Sequence, residues 1–282
     1  MDLCFAYDRI RLLGCRLKPI DYEVIDYPKS RLGTVDVGRF GHNKHYMFGL
    51  LEVDVTGARR LLRKLRQQGQ ETSFTAWMIK TIADCVARNR YAQAMRWKRR
   101  KLIAFNDVDI AIPVERTVGG KGVPLPLLIR QTNIKSARDI HHEILSAQQK
   151  SIADEKDFIL NRHQFSKRAM QLYYSAPQFV RMFLWTRIFR NPFRAKRNSG
   201  TVMVTTVNAV ERTTGWILPT RNIHNIAISF GSISKKPWVV KGKVEVRDIL
   251  HLTVAFNHDV IDGVPAGRFV QDLVKTIEEY GL

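Results

Sequence analysis

Acidic residues are scarce in this sequence: 26 Asp and Glu stand against 46 Lys and Arg, a formal net charge of +20 over 282 residues. Such an excess suits nucleic acid, an anionic membrane face or a polyanionic small molecule, besides ordinary solvation. No zinc spacing, helix-turn-helix pattern or aromatic stacking motif accompanies it, so nucleic acid is set aside. Cysteine is nearly missing. Cys4, Cys15 and Cys85 are odd in number and carry no metal-ligand spacing, which argues against a disulfide framework and a metal site and reads as a reduced, cytoplasmic protein. Long apolar runs are missing as well. No uncharged stretch of about 18 residues exists to span a membrane. The opening "MDLCFAYDRIRLLGC" is broken by Asp2, Asp8, Arg9 and Arg11, so it lacks the apolar centre of a signal peptide. No internal repeat or low-complexity segment is present.

What remains is a chain 45% hydrophobic, enough for a sizeable core. Residues 1–43 read as an N-terminal arm, loop-rich over 1–40. Residues 44–56 have strand composition and end at Thr56, a candidate N-cap; 57–68 follow with Leu61, Leu62 and Leu65 on one helical side. Residues 72–89 predict a second helix, capped by Ser73 or Thr75, with Phe74, Trp77, Met78, Ile82, Cys85 and Val86 recurring at three and four. Strands are expected at 107–115 and 123–130, the latter at an edge because of Pro124 and Pro126. A third helix over 136–150 carries His141 and His142, adjacent and therefore divergent. Residues 151–200 are the least regular. Within them 178–190 makes a wide apolar arc interrupted by Arg181, expected to pack on its own domain or a neighbouring subunit, with peripheral membrane contact as the other reading. Strand composition returns at 201–210, 225–233, 236–247 and 249–257, with Lys241-Gly242 as a hairpin tip. A helix over 265–281 closes the chain, Pro265 in its first turn. This mixture predicts α/β layers around a mixed sheet.

The chemistry concentrates in "FNHDVIDGVPAGRF", residues 256–269. The strand ahead of it delivers His258 to its end, where a side chain is held firmly yet reaches a cavity. A neutral imidazole there can take a proton from a thiol or hydroxyl. Asp262 lies four residues on, and Gly263 permits a tight backbone. The residues alone leave both a catalytic base and a turn histidine open.

His258-x-x-x-Asp262-Gly263, followed by "GRF", resembles the active-site signature of the 2-oxo acid dehydrogenase acyltransferases, whose fold and pattern chloramphenicol acetyltransferase shares. The elements upstream keep the family's order: "TSFTAWMIKTIADCV", "NDVDIAIPVERTVGGKGVPLPLLIR", "VMVTTVNAV" and "IAISFGSISKKPWVVKGKVEV". The resemblance spans 44–282, weakest at 151–200, so 44–282 is expected to be an acyltransferase catalytic domain with an atypical insert at about 151–200. It implies a two-layer chloramphenicol acetyltransferase-like fold assembled as a homotrimer or larger oligomer, with sites at subunit interfaces. It also implies transfer of an acyl group between a thioester donor, acyl-CoA or acyl-dihydrolipoyl, and a thiol or hydroxyl acceptor, with coenzyme A as a substrate. His258 takes the place of the general base. Asp262 takes that of a brace paired with an arginine, for which Arg31 and Arg39 are candidates. Thr205 takes that of the oxyanion donor, with Thr206 the runner-up. Two departures stand beside the base: Asn257 and Asp259 occupy positions where the family commonly has Asp and Arg. No lipoyl or subunit-binding segment precedes the core, which implies a free-standing enzyme or one served by a lipoyl group on another protein chain. An idle scaffold of the same fold is the competing reading.

Overall fold

A computed structural model describes residues 22–25, 27, 30–118, 121–149, 167–206 and 214–279. The chain forms a helix α1 (Ser30–His42), then strand β1 (Tyr46–Asp54) and helices α2 (Thr56–Gln67) and α3 (Phe74–Arg88). Two short strands, β2 (Met95–Trp97) and β3 (Lys101–Ile103), form a small hairpin, and β4 (Ile110–Val118) and β5 (Lys121–Ile129) a larger one. Helices α4 (Ala137–Gln149), α5 (Lys167–Ser175), α6 (Gln178–Phe189) and α7 (Pro192–Ser199) follow. Strands β6 (Val202–Thr206), β7 (Ile226–Val240) and β8 (Lys243–Asn257) lead into the closing helix α8 (Gly263–Glu279).

The main sheet has six strands in the order β1-β8-β7-β6-β4-β5. It is mixed: β4–β6 and β6–β7 are parallel and the other pairs antiparallel. Alternation along the strands sends Val53, Val204, Ile228, Phe230, Leu252 and Val254 to one face, where they bury against α2, α3, α4 and α8. The two-layer α/β fold with a mixed sheet is therefore present. β5 is an edge strand, which lets Pro124 and Pro126 sit where no ladder bond is lost to a further neighbour.

Several local expectations change. Residues 30–42 are helical inside the arm read as loop-rich; Cys4 and Cys15 lie outside the described residues. Thr56 does not cap α2. Val55 holds that place without a side-chain bond, Asp54 Oδ1 accepts from Thr56 N (2.8 Å), and the Thr56 hydroxyl accepts from Asp248 N (2.8 Å). Ser73 does cap α3, accepting from Ala76 N at 3.2 Å. The four C-terminal strand segments condense into three strands, because 225–233 and 236–240 run on as one across an irregularity at 230–233. Lys241 and Gly242, both at positive φ (49° and 79°), make the two-residue turn.

Arg181 explains the break in the apolar arc of α6. It is buried, and its guanidinium makes two bonds to Asp36 of α1 (Nε–Oδ2 2.7 Å, Nη2–Oδ1 3.2 Å). Tyr173 donates to the same carboxylate at 2.6 Å and accepts from Trp185 Nε1 at 3.0 Å. A buried ion pair so satisfied joins α1, α5 and α6 into one unit, while Phe179 and Phe183 on the far side of α6 stay exposed. Among the described residues no helix is long and apolar enough to cross a membrane. Arg181→Ala should cost about 3–5 kcal/mol by leaving the Asp36 carboxylate buried and unpaired. Urea unfolding of that variant against wild type checks this; a loss below about 1 kcal/mol would contradict it.

Candidate active site

Strand β8 is paired on both sides, with β1 and with β7, up to its last residues. Asn257 N donates to Asn225 O (2.8 Å), and His258 N donates to His45 O (2.7 Å). The chain then turns: Val260 N and Ile261 N both donate to Asn257 O, at 3.0 and 3.3 Å, before α8 begins. His258 is thus fixed through its backbone at a strand end, while its side chain is 54% exposed. The imidazole contacts one charged neighbour, Asp262, at 3.9 Å from Nδ1.

Asp262 is 85% exposed. Among the described residues it has no arginine partner, and neither Arg31 nor Arg39 reaches it. Among the described residues the brace expected from the resemblance has no arginine. Asp262 does hold the start of α8 through its carbonyl, which accepts from Ala266 N at 3.1 Å.

Behind the turn lies a polar cluster that sequence reasoning missed. Lys44 donates to Ile223 O, His224 O (3.0 Å) and Asn225 Oδ1 (3.0 Å), using all three of its hydrogens. Withdrawal from water pulls its pKa down to about 7, against the attraction of Asp259. Tyr46 donates to Asn222 O (3.0 Å) and His224 O, and burial pushes its pKa up. Residues 222–225 also lie hard against Gly41, where a Cβ would stand 2.6 Å from Asn222 N; only glycine admits this approach. None of this has a short-range signature, since residues 41–46 and 222–225 are far apart in sequence and are brought together by the pairing of β1 and β7 to β8.

The cluster accounts for Asn257. Its Nδ2 donates to Asn225 Oδ1 (3.2 Å), an oxygen already accepting from Lys44, while Asn225 Nδ2 donates to Ala94 O (2.7 Å). A carboxylate at 257 has no hydrogen for that oxygen, so the amide fits where the family commonly has Asp. Asp259 is accounted for as well: its Oδ1 lies 2.8 Å from His45 Nδ1, tying the turn to the start of β1. His45 is largely exposed, so this pair adds at most about 1 kcal/mol.

Thr205 is elsewhere. It pairs with Ser229 on β7, which pairs with Thr253 on β8, and His258 lies five residues beyond. Two strand spacings and five residue rises put Thr205 and His258 roughly 19 Å apart. Thr205 faces away from the helical layer in a row with Ser229 and Thr253, whose buried hydroxyls have no partner among the described residues. Thr206 shares the core-facing side with Val202 and Val204. Cys85 is buried, its thiol pushed up to about 11 by desolvation, which makes it unreactive. His141 and His142 sit side by side on α4, and no metal-ligand cluster exists among the described residues.

The fold is that of dihydrolipoamide acetyltransferase catalytic cores. The cubic core of a pyruvate dehydrogenase multienzyme complex aligns with a TM-score of 0.65 at 18% identity, covering 95% of this chain and 100% of that one. The Azotobacter vinelandii dihydrolipoamide acetyltransferase, solved to examine the catalytic role of a serine, a histidine and an asparagine, aligns with a TM-score of 0.65 at 16% identity over 95% of this chain and 100% of that one. Residues 198–282, which hold β6, β7, β8, the His258 turn and α8, match the model of the 2-oxoacid dehydrogenases acyltransferase (catalytic domain) family. Over a longer stretch the chain is 26% identical across 216 residues to the dihydrolipoyllysine-residue acetyltransferase component of the pyruvate dehydrogenase complex of Mycoplasma pneumoniae. That match takes in 76% of this chain and 44% of the Mycoplasma protein, so the chain spans less than half of that relative's length.

His224 supplies a pH dependence. It is buried, with Nε2 2.8 Å from Ser199 O, and desolvation lowers its pKa from 6.5 to about 4. Between those values the unfolded chain takes up a proton that the folded chain refuses, so stability falls as pH drops. From pH 6.5 to 4.5 wild type should lose about 2 kcal/mol more than His224→Gln, whose amide can keep the bond to Ser199. Parallel urea titrations at the two pH values measure the difference; equal losses would contradict the assignment.

Proposed function

We propose that the protein is a coenzyme A-dependent acyltransferase with His258 as general base. It moves an acyl group between a thioester donor, acyl-CoA or acyl-dihydrolipoyl, and a thiol or hydroxyl acceptor. The observation that carries this reading is the His258 imidazole, exposed at the end of a doubly paired strand and fixed by backbone bonds on a turn whose sequence resembles the family's signature, within the stretch that matches the family model. In that place the imidazole takes the proton from the acceptor S–H or O–H. The acceptor attacks the acyl carbonyl, and the tetrahedral adduct collapses by expelling the donor thiolate, which takes the proton back from the imidazolium. No other oxidant, reductant or base is required.

The oxyanion of that adduct needs a donor, and Thr205 is assigned to it in preference to Thr206, because Thr205 faces away from the helical core. Asp262 is assigned as the brace of the turn, with its arginine supplied by a second copy. Since Thr205 and His258 cannot meet within one chain, the site is assigned to the junction of two copies in a homotrimer or larger assembly. A second feature supports assembly. The projecting end of the β7–β8 hairpin exposes Val239, Val244 and Val246, with Val239 opposite Val244 and Val246 opposite Pro237, an apolar face that a two-stranded ribbon alone leaves unsupported. A lipoyl-bearing protein is the corresponding partner if the donor is acyl-dihydrolipoyl. Residues 44–282 are assigned as the catalytic domain, with 151–200 as the chain's own addition.

His258→Ala should abolish thiol release from acyl-CoA in the presence of acceptor, and Thr205→Ala should slow it by about 100-fold or more. Mixed assemblies made by co-expressing the two variants should regain activity, because some junctions then receive an intact His258 from one copy and an intact Thr205 from the next. Turnover by His258→Ala at the wild-type rate would refute the base. Mixed assemblies as inactive as their parents would refute the shared site.

A further inference from the structure

The basic run Arg96–Lys101 forms the tip of the β2–β3 hairpin, turned at Lys98 with φ of 55°. This tip overhangs a cleft of about 760 Å³. Phe189 and Arg190 at the end of α6 line it too, as do Asn257, Asp259 and Val260 of the histidine turn. The cleft is thus shaped by two parts of the chain that the proposed chemistry does not use, the basic hairpin and the 151–200 insert, and it opens beside His258.

Most of its cations have no carboxylate partner among the described residues. Arg88, Arg130, Arg181 and Lys196 each hold a carboxylate. Arg96, Arg99 and Arg190, all exposed, make no ion pair and no side-chain hydrogen bond with any described residue, and Lys98 rests its ammonium 4.6 Å from the centre of the Trp97 ring. The carboxylate lining the cleft, Asp259, is engaged by His45. The walls are stiff: Trp97 meets Phe193 edge-on at 6.0 Å, Phe193 meets Phe105 at 5.9 Å, and Phe40 meets Phe189 at 5.5 Å. Cations gathered over aromatic walls in a concave surface focus the field on whatever enters. Guanidinium groups free to bond in pairs match the oxygens of a phosphate, as they do those of a carboxylate, and several cations together suit an anion of more than one charge. The volume falls within the range of sites for small organic ligands.

We propose that this cleft is a phosphate-recognition site that holds a phosphate-bearing substrate with its reactive end at the His258 turn. The anion site stands on its own geometry; its link to turnover rests on the acyltransferase reading. The phosphates can belong to coenzyme A or to a phosphorylated acceptor, and competition separates the two.

The test is calorimetric titration of the full chain with inorganic pyrophosphate. Wild type should bind it, less tightly as salt rises. Arg96→Gln/Arg99→Gln and, separately, Arg190→Gln at the end of α6 should each weaken binding about ten-fold or more, at unchanged melting temperature. Arg60→Gln/Lys64→Gln, which removes as much charge from α2, should leave it unaltered. His258→Ala should also bind pyrophosphate normally, so the site survives even if the catalytic assignment fails. Absence of pyrophosphate binding, or equal weakening in the α2 variant, overturns the proposal. With the site established, displacement of pyrophosphate by coenzyme A assigns the phosphates to the donor, and simultaneous binding of both assigns them to the acceptor.

Discussion

Everything near the proposed centre depends on the pairing of β8 with β1 on one side and β7 on the other. A central strand with neighbours on both sides cannot shift register without turning every buried side chain of Leu250, Leu252, Val254 and Phe256 to the wrong face. That constraint fixes where the strand ends, and therefore where His258 stands. It also brings Lys44 and Tyr46 from the start of β1 against residues 222–225 at the start of β7, although some 180 residues separate them in sequence. The polar cluster is a product of strand order.

The helices and strands were legible because their signals are local. Ser73 capping α3, the prolines of β5 and the Lys241-Gly242 turn each act over a few residues, and each is where the pattern puts it. Arg181 was legible only as an anomaly. Its partner Asp36 is 145 positions away, and an arginine in an apolar arc gives no hint of which carboxylate it meets. The same limit applies to Thr56, whose hydroxyl serves Asp248 and not its own helix. Of the candidate site, the motif around His258 was readable and so was its place at a strand end. The arrangement behind it was not, because Asn257 and Asp259 look like departures until Asn225 and His45 are seen beside them. Charge density alone does not tell two basic stretches apart: 59–68 lies along α2, which buries Leu62, while residues 96–99 line a cleft.

Two kinds of polar burial serve different ends here. Asp36, Arg181 and Tyr173 satisfy one another and join three helices, a structural use of charge. Lys44 and His224 sit where water is scarce and both are driven toward their neutral forms. Behind the turn, polarity is therefore kept largely as hydrogen bonds, while Arg96, Arg99 and Arg190 stand exposed in the cleft, where solvent and ligands can reach them.

The manner in which His258 is held has a consequence for how this sequence can change over generations. Its position rests on main-chain bonds, from its own amide to His45 O and from Val260 and Ile261 to Asn257 O. Main-chain groups are the same whatever the side chain. Positions 45 and 259 can therefore exchange residues, as a pair or singly, without moving the imidazole, whereas position 41 cannot accept even a methyl group. Substitution around the turn is thus tolerated or refused according to backbone contact, and a mismatch to a family signature at Asp259 is a poor guide to whether catalysis has been lost.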